Sequence, residues 1–178
     1  MDQLILKKKT GFKNLMPNNP IVIRDFRGII FYSTIGLSQV DSFNLPEGSY
    51  FIDQGLIKEL PAPVQVKYIE MPRAERWMKS PDDFSIYFDE NPNKCTIDWE
   101  TQSITFDNSL KSSPLPNIFF ILYHEYGHTL YETEKYADMY AANIMLKRGY
   151  NLSQIGLSQL TALSSKQFER KNNLISRL

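Results

Sequence analysis

The stretch His124-Glu125-Tyr126-Gly127-His128 decides how the rest of this chain is interpreted. Residues four apart lie on one face of a helix, so the two imidazoles can reach a single ion. Glu125 lies about 100° round the helix axis, beside the position that the histidines leave open. Two nitrogen ligands and a carboxylate that accepts a proton are what a zinc hydrolase needs. The chain has 2 histidines, both in this stretch. We therefore predict a site for one Zn²⁺; the alternative is a helix that carries the pattern by chance or has lost its metal.

Length and composition set the broad class. A chain of 178 residues favours one domain, and 42% hydrophobic residues allow a sizeable core. Twenty basic and twenty acidic residues give no net charge, so nothing favours nucleic acid or a membrane surface as a partner. The single cysteine excludes an intrachain disulfide framework and suits a reducing compartment. Without a signal-peptide pattern or a membrane-spanning apolar run, the expectation is a soluble, intracellular protein, or one packed inside an assembly.

Three regions are distinguished along the chain. Residues 1–20 are predicted to be a polar arm, because they carry four lysines and a helix-breaking Pro17-Asn18-Asn19-Pro20. Residues 21–80 form a β-rich region of unknown role. Residues 81–178 contain the metal-site region and should form one compact unit with 21–80. Strands are predicted at 21–23, 28–32, 49–52 and 63–68, and a short helix at 73–79.

Residues 83–110 show the pattern of a three-stranded meander. Alternating stretches, the first of which places Phe84, Ile86 and Phe88 on one face, are separated by turns at 91–93 and 100–102. The last stretch, 103–107, leads directly to the motif helix. If it lies at a sheet edge, its backbone groups could pair with an extended peptide; the alternative is an ordinary interior strand.

The motif helix is predicted to begin near Pro116 or Asn117 and to be buried, because residues 118–123 are apolar on all sides. Two histidines and a glutamate on a buried helix must find partners, and a metal ion satisfies all three.

A second helix is predicted to follow closely. Thr133 is its expected N-cap, Lys147 or Arg148 its end, and Gly149 the residue that closes it. The tail, 151–178, has the pattern of two further helices, the first capped by Asn151 or Ser153 and the second by Ser164 or Ser165.

Carboxylates on the second helix supply the candidate third ligand. Glu134 and Asp138 are four residues apart and face the same way. Glu134 is the predicted ligand, and Asp138 is expected to accept the free ring N–H of a histidine and fix its tautomer. Glu132 is the fallback ligand. The alternative for the pair is a solvated acidic first turn, which the helix dipole also favours.

These residues resemble a known family. His124-Glu125-x-x-His128 followed by Glu134-x-x-Ala137-Asp138 is similar to the zincin metallopeptidases, most closely to the gluzincin branch. The stretch 134–142 also resembles the corresponding helix of ImmA/IrrE-type peptidases. The resemblance covers roughly residues 84–148. It implies an α+β, zincin-like fold in which a mixed sheet packs on a buried active-site helix, followed by a second ligand-bearing helix and C-terminal helices.

The spacing departs from the gluzincin pattern. Only residues 129–133 separate the second histidine from Glu134, where gluzincins have a long stretch. This short spacing equals that of metzincins, but Tyr131 stands where those proteins have a glycine. The chain must therefore turn without the residue that most easily adopts a positive φ.

The activity that the resemblance implies is zinc-dependent hydrolysis of a peptide or protein substrate. The ion would lower the pKa of a bound water, and Glu125 would act as general base. No third histidine exists to steady the oxyanion, so the candidate donors are tyrosines close in sequence: Tyr131, Tyr136 and Tyr140. Cys95 could occupy the open zinc position and hold the enzyme latent, but a lone strand cysteine is more often a small core residue.

A second hypothesis is a structural role. The stretch 91–154 is loosely similar to zincin-like proteins of bacteriophages. Such a protein could be a virion component with weak or no peptidase activity, held at its two ends by partner chains. The peptidase hypothesis places the chain in the cytoplasm of a bacterial or phage-infected cell; the structural hypothesis places it in the virion.

Overall fold

The computed structural model describes residues 2–37, 39–74, 83–90 and 95–162. Within these ranges the chain forms three β-sheets and three α-helices. The predicted mixed α+β class is confirmed. Across the described ranges, no helix has both the length and the apolar character required to cross a membrane.

Two antiparallel sheets make up the N-terminal half. Their strands are β1 (Asp2–Leu6), β2 (Thr10–Asn14), β3 (Val22–Asp25), β4 (Ile30–Ser33), β5 (Ser42–Leu45), β6 (Gly48–Gln54) and β7 (Ile57–Glu59). One sheet has the order β1-β6-β3-β4 and the other β5-β2-β7. The β-rich character expected for residues 21–80 is confirmed in the part of this region that the structure describes.

The expected polar arm is wrong for β1 and β2, which pair within these sheets. Leu6 and Phe12 are buried, whereas Lys7 and Lys8 are exposed in the connection between the two strands. Lys7 and Lys8 belong to that short loop. Because the lysines dominate the composition of residues 1–20, the apolar residues on either side of the loop were not predicted to form strands.

An extended segment, residues 60–74, follows β7 and is called the strap here. It belongs to none of the three sheets. Asn44 bonds both backbone groups of Val64, at 2.7 and 2.9 Å. Asn143 bonds both backbone groups of Ile69, at 2.8 Å each. The strand predicted at 63–68 is therefore wrong: this segment takes backbone partners from two side-chain amides and not from a neighbouring strand. Residues 75–79 of the predicted short helix lie outside the described residues.

The third sheet differs from the predicted meander. Its strands are β8 (Ser85–Asp89), β9 (Cys95–Asp98) and β10 (Ser103–Asp107), in the order β8-β10-β9. β10 pairs parallel with β8 and antiparallel with β9, so it is the interior strand and not an edge. Ile104 and Phe106 of β10 are 0% exposed, which explains why this strand takes the centre. The turn predicted at 91–93 lies outside the described residues.

Three helices complete the described chain: α1 (Leu115–Leu130), α2 (Glu134–Arg148) and α3 (Leu152–Ala162). A 3-10 helix, Asn108–Ser112, connects β10 to α1. Both predicted caps of α2 are confirmed, since Thr133 accepts a bond from the N–H of Tyr136 and Gly149 adopts φ 109°. The second predicted tail helix falls in 163–178, outside the described residues.

One hydrophobic core joins the sheets to the helices. Arg27 provides a polar link between the halves. Its guanidinium lies 2.7 Å from the buried carboxylate of Asp25 and donates to the carbonyls of Lys111 and Ser113, directly before α1. The start of the motif helix is thereby tied to the N-terminal sheets.

Candidate metal centre

Helix α1 carries the two histidines on one face. His124 is buried and His128 is half-buried, and their rings stand nearly perpendicular with centroids 4.7 Å apart. The Nε2 atoms of the two rings are 3.1 Å apart. The four-residue spacing therefore places both nitrogens at one point, as predicted.

The chain turns from α1 to α2 without a left-handed residue. Tyr131 ends α1 in an extended conformation, with φ −137° and ψ 135°, and its N–H donates to the carbonyl of Gly127 at 2.8 Å. Thr133 is also extended, with φ −93° and ψ 141°. Helix α2 then begins at Glu134. Extended residues make the turn, which explains why tyrosine can stand where metzincins have glycine.

Glu134 completes a triangle of ligand atoms. Its Oε2 lies 3.4 Å from Nε2 of His124 and 3.4 Å from Nε2 of His128. A tetrahedral Zn²⁺ bound at about 2.0–2.1 Å requires ligand atoms about 3.3–3.4 Å apart. The three side chains thus fit one zinc ion, and among the described residues they form the group that could hold a metal. Glu132, the fallback ligand, is not in that group.

The Glu134 carboxylate is half exposed, at 52% of its side-chain surface, whereas the histidines are less exposed. The triangle therefore opens towards solvent on the glutamate side. Three protein ligands with an open side are typical of catalytic zinc sites, since structural sites are closed by a fourth protein ligand.

Asp138 supports the first histidine, as the spacing on α2 predicted. Its Oδ1 lies 2.8 Å from Nδ1 of His124, and its side chain is 3% exposed. A histidine that donates through Nδ1 keeps the lone pair of Nε2 available for a metal. The carboxylate of Asp138 therefore lies within reach of Nδ1, on the side of the ring opposite the nitrogen that faces Glu134.

Sequence reasoning missed one supporting residue, Gln159 on α3. Its Nε2 donates to Oδ2 of Asp138 at 3.3 Å, and the residue is 0% exposed. The available signal was weak: a polar residue at a position of α3 that should face the core.

The close approach of α1 and α2 depends on small residues. A Cβ added to Gly127 would lie 2.8 Å from Cα and 3.0 Å from the carbonyl oxygen of Ala137. Ala137, Ala141 and Ala142 are all 0% exposed. The small residues predicted to permit close packing do lie in the core, and Gly127 is the position where the backbones meet.

Glu125, the predicted general base, is half-buried and follows His124 on the helix. Strand β9 packs against α1. Burial raises the pKa of the Cys95 thiol on β9 to about 12, and the negative charge of Glu125 contributes to that rise. The two groups are therefore close, and Cys95 is a neutral, buried thiol, as the core interpretation expected.

The candidate oxyanion donors lie in an aromatic cluster. Tyr131 is 5.9 Å from Tyr136 and 6.2 Å from Tyr140, measured between ring centroids. The hydroxyl of Tyr131 donates to the carbonyl of Pro72 on the strap, and burial raises the pKa of Tyr140. On α2 both Tyr136 and Tyr140 leave the helix on the side away from Glu134 and Asp138. Tyr140 also stacks on Tyr126, with ring centroids 5.9 Å apart. The catalytic role of these tyrosines stays a prediction.

Comparisons with protein-family models, with curated proteins and with solved structures found no match.

Proposed function

We propose that this protein is a zinc-dependent metallopeptidase. The observation that carries the proposal is the convergence of three atoms, Nε2 of His124, Nε2 of His128 and Oε2 of Glu134, within 3.1 to 3.4 Å of one another. Asp138 strengthens it, because its carboxylate is 2.8 Å from the opposite nitrogen of His124. The alternative, a solvated acidic first turn, does not explain why the carboxylate of Asp138 is buried.

When bound, Zn²⁺ supplies a Lewis acid that polarises a carbonyl and lowers the pKa of a coordinated water. The residues of the chain perform the remaining tasks. His124, His128 and Glu134 hold the ion, and Asp138 keeps the first histidine oriented. In the proposed mechanism Glu125 accepts a proton and returns it to the leaving amine.

Peptide as the substrate class is supported by the resemblance and by one feature of the fold. Strand β9 is an edge strand of the third sheet and packs against α1. Its residue Cys95 is close enough to Glu125 for the carboxylate to contribute to the raised pKa of the thiol. A peptide added alongside β9 would run past Glu125 in an extended conformation.

The test measures zinc and hydrolysis on the same samples. We expect the purified chain to bind one equivalent of Zn²⁺ and to cleave members of a peptide library. Glu125→Gln should keep the zinc and lower kcat by about 10²- to 10⁴-fold, the usual contribution of a general base. Glu132→Gln is the matched control, because it removes an exposed carboxylate outside the ligand group.

Two results would contradict the proposal. A chain that takes up no zinc has no metal centre. A chain that binds zinc but cleaves no peptide has a metal site that serves the structural role considered for a virion protein. Equal cleavage with Gln at position 125 would instead contradict the assignment of Glu125 as general base.

A further inference from the structure

Helix α3 reaches the metal centre through one side chain. Gln159 donates from Nε2 to Oδ2 of Asp138 at 3.3 Å, and Oδ1 of Asp138 lies 2.8 Å from Nδ1 of His124. Gln159 is 0% exposed and Asp138 is 2% exposed. A polar chain therefore runs from α3 through α2 to a ligand on α1, within the protein interior.

The direction of each contact follows from the chemistry of the groups. A carboxamide nitrogen can only donate, so Asp138 must accept at Oδ2. The carboxamide at Oδ2 and the imidazole beside Oδ1 together hold the plane of the Asp138 carboxylate. An acceptor at Oδ1 selects the His124 tautomer that carries its proton on Nδ1, and this leaves Nε2 unprotonated towards Glu134.

We propose that Gln159 is a positioning residue of the metal centre, which orients the Asp138 carboxylate and so sets the ligand strength of His124. The inference rests on the proposed zinc site and adds α3 to the functional unit. No part of the His-Glu-x-x-His motif or of the Glu134–Asp138 pair assigns this role.

A second buried glutamine lies on the same helix but bonds other partners, so burial alone does not explain why Gln159 contacts Asp138. Gln154 is 6% exposed and donates to the carbonyl of Phe31 at 2.7 Å, and its Oε1 accepts from Asn151. It holds the start of α3 against strand β4. The two glutamines therefore bond different partners: Gln154 bonds the N-terminal sheet and its own helix cap, and Gln159 bonds the carboxylate behind a metal ligand.

The matched variants are Gln159→Met and Gln154→Met, which each replace a buried carboxamide by an apolar chain of similar length. Zn²⁺ affinity is measured by competition with a chromophoric chelator, the Co²⁺ form by visible absorption, and stability by urea unfolding of the metal-free chains. Both variants should lose stability, because each leaves a buried group without its hydrogen bond. Only Gln159→Met should weaken Zn²⁺ binding, by about tenfold, and alter the Co²⁺ spectrum.

If Gln159→Met does not fold, Gln159→Leu tests the same point, since it removes the donor with an apolar side chain of smaller volume; it too should weaken Zn²⁺ binding. Equal Zn²⁺ affinity in wild type and in the Gln159 variant would overturn the inference. So would an equal loss of affinity in Gln154→Met, which would reduce both residues to packing.

The inference and the proposed function fail in distinguishable ways. A wild-type chain without zinc affinity would overturn both. A wild-type chain that binds zinc but cleaves no peptide would overturn the peptidase alone, and the tenfold difference between the two glutamine variants would still support the role of Gln159.

Discussion

Among the residues that the structure describes, two aspartates are buried, and their surroundings differ in an instructive way. Asp25, in the N-terminal sheets, is 0% exposed and contacts the guanidinium of Arg27 at 2.7 Å. It also accepts from the backbone N–H groups of Arg27 and Ile29. Asp138, on α2, is 2% exposed, and it faces His124 and the carboxamide of Gln159. The first aspartate has a fixed cation; the second contacts an imidazole whose other nitrogen joins the ligand triangle.

Arg27 cannot lose its proton in a protein, so the Asp25 pair is complete by itself and joins the sheets to the start of α1. In the proposed metal site, His124 would bind the ion as a neutral ligand, so Asp138 would gain a cationic neighbour only through the ion. We therefore expect substitutions near Asp25 to change stability, and substitutions near Asp138 to change metal affinity.

The largest effect is expected for Arg27→Met, which leaves the carboxylate of Asp25 buried without its cation. The free energy of unfolding, measured with urea, should fall by about 3–5 kcal/mol. Asp25→Asn should cost less, because the charge that it leaves behind on Arg27 is partly exposed, at 21% of that side chain. A loss below about 1 kcal/mol in Arg27→Met, the range of surface ion pairs, would contradict the structural assignment.

Asp138→Asn should act on zinc instead. The carboxamide keeps the shape of the side chain but is a weaker acceptor for Nδ1 of His124. Zn²⁺ affinity, measured by chelator competition, should fall by about 10- to 100-fold. The same exchange at Asp25 is the control and should leave Zn²⁺ affinity unchanged. If both exchanges weaken zinc binding equally, the contrast between the two aspartates is wrong.

The contact between Asp138 and His124 also depends on the distance between α1 and α2, which Gly127→Ala would increase. The new methyl group would meet backbone atoms of Ala137 at 2.8 and 3.0 Å, so α2 must shift away with Glu134 and Asp138. We expect a loss of about 1–3 kcal/mol in stability, together with weaker Zn²⁺ binding. Thermal unfolding and chelator competition measure the two effects.

Gly156→Ala on α3 is the matched control for that substitution. Nothing lies within 4 Å of the added carbon, and alanine favours helix by about 1 kcal/mol over glycine. This variant should therefore gain stability. A gain in Gly127→Ala as well would show that the two helices do not depend on their close contact.

The smallest effect concerns Cys95, which lies beside Glu125. The folded pKa of about 12 is above the usual value near 8.5, so the neutral thiol stabilises the fold below about pH 8.5. That contribution is lost as the pH rises towards 12. Because the thiolate is the nucleophile, iodoacetamide should label the folded chain slowly at pH 8.5 and the urea-unfolded chain rapidly. Mass spectrometry measures the labelling; rapid labelling of the folded chain would contradict the buried, neutral thiol.

Local patterns predicted much of the helical half. Thr133 and Gly149 marked the ends of α2, because caps are satisfied by residues within one turn. The spacing of His124 and His128, and of Glu134 and Asp138, needed only the helical repeat to place each pair on one face. The turn at Tyr131 was harder, since the sequence shows which residue is present but not that two extended residues suffice.

The strand predictions failed where partners are distant in sequence. The meander expected for residues 83–110 gave the wrong neighbours, because the central place of β10 depends on burial of Ile104 and Phe106 in the core. The strap has an alternating pattern but takes its backbone partners from Asn44 and Asn143. In both cases the observed arrangement depends on contacts between residues that are far apart in the chain.

The sequence by itself determined the ligand types, their spacing on two consecutive helices and the caps that begin and end the second helix, because all of these depend on residues within a few positions of one another. Tertiary structure alone decided that the ligand atoms of the two helices meet, that β9 and not β10 is the edge strand beside Glu125, and that Gln159 bonds Asp138. Those outcomes require α1, α2 and α3 to pack at particular distances. These distances depend on how all the core side chains fit together, which no short stretch of sequence determines by itself.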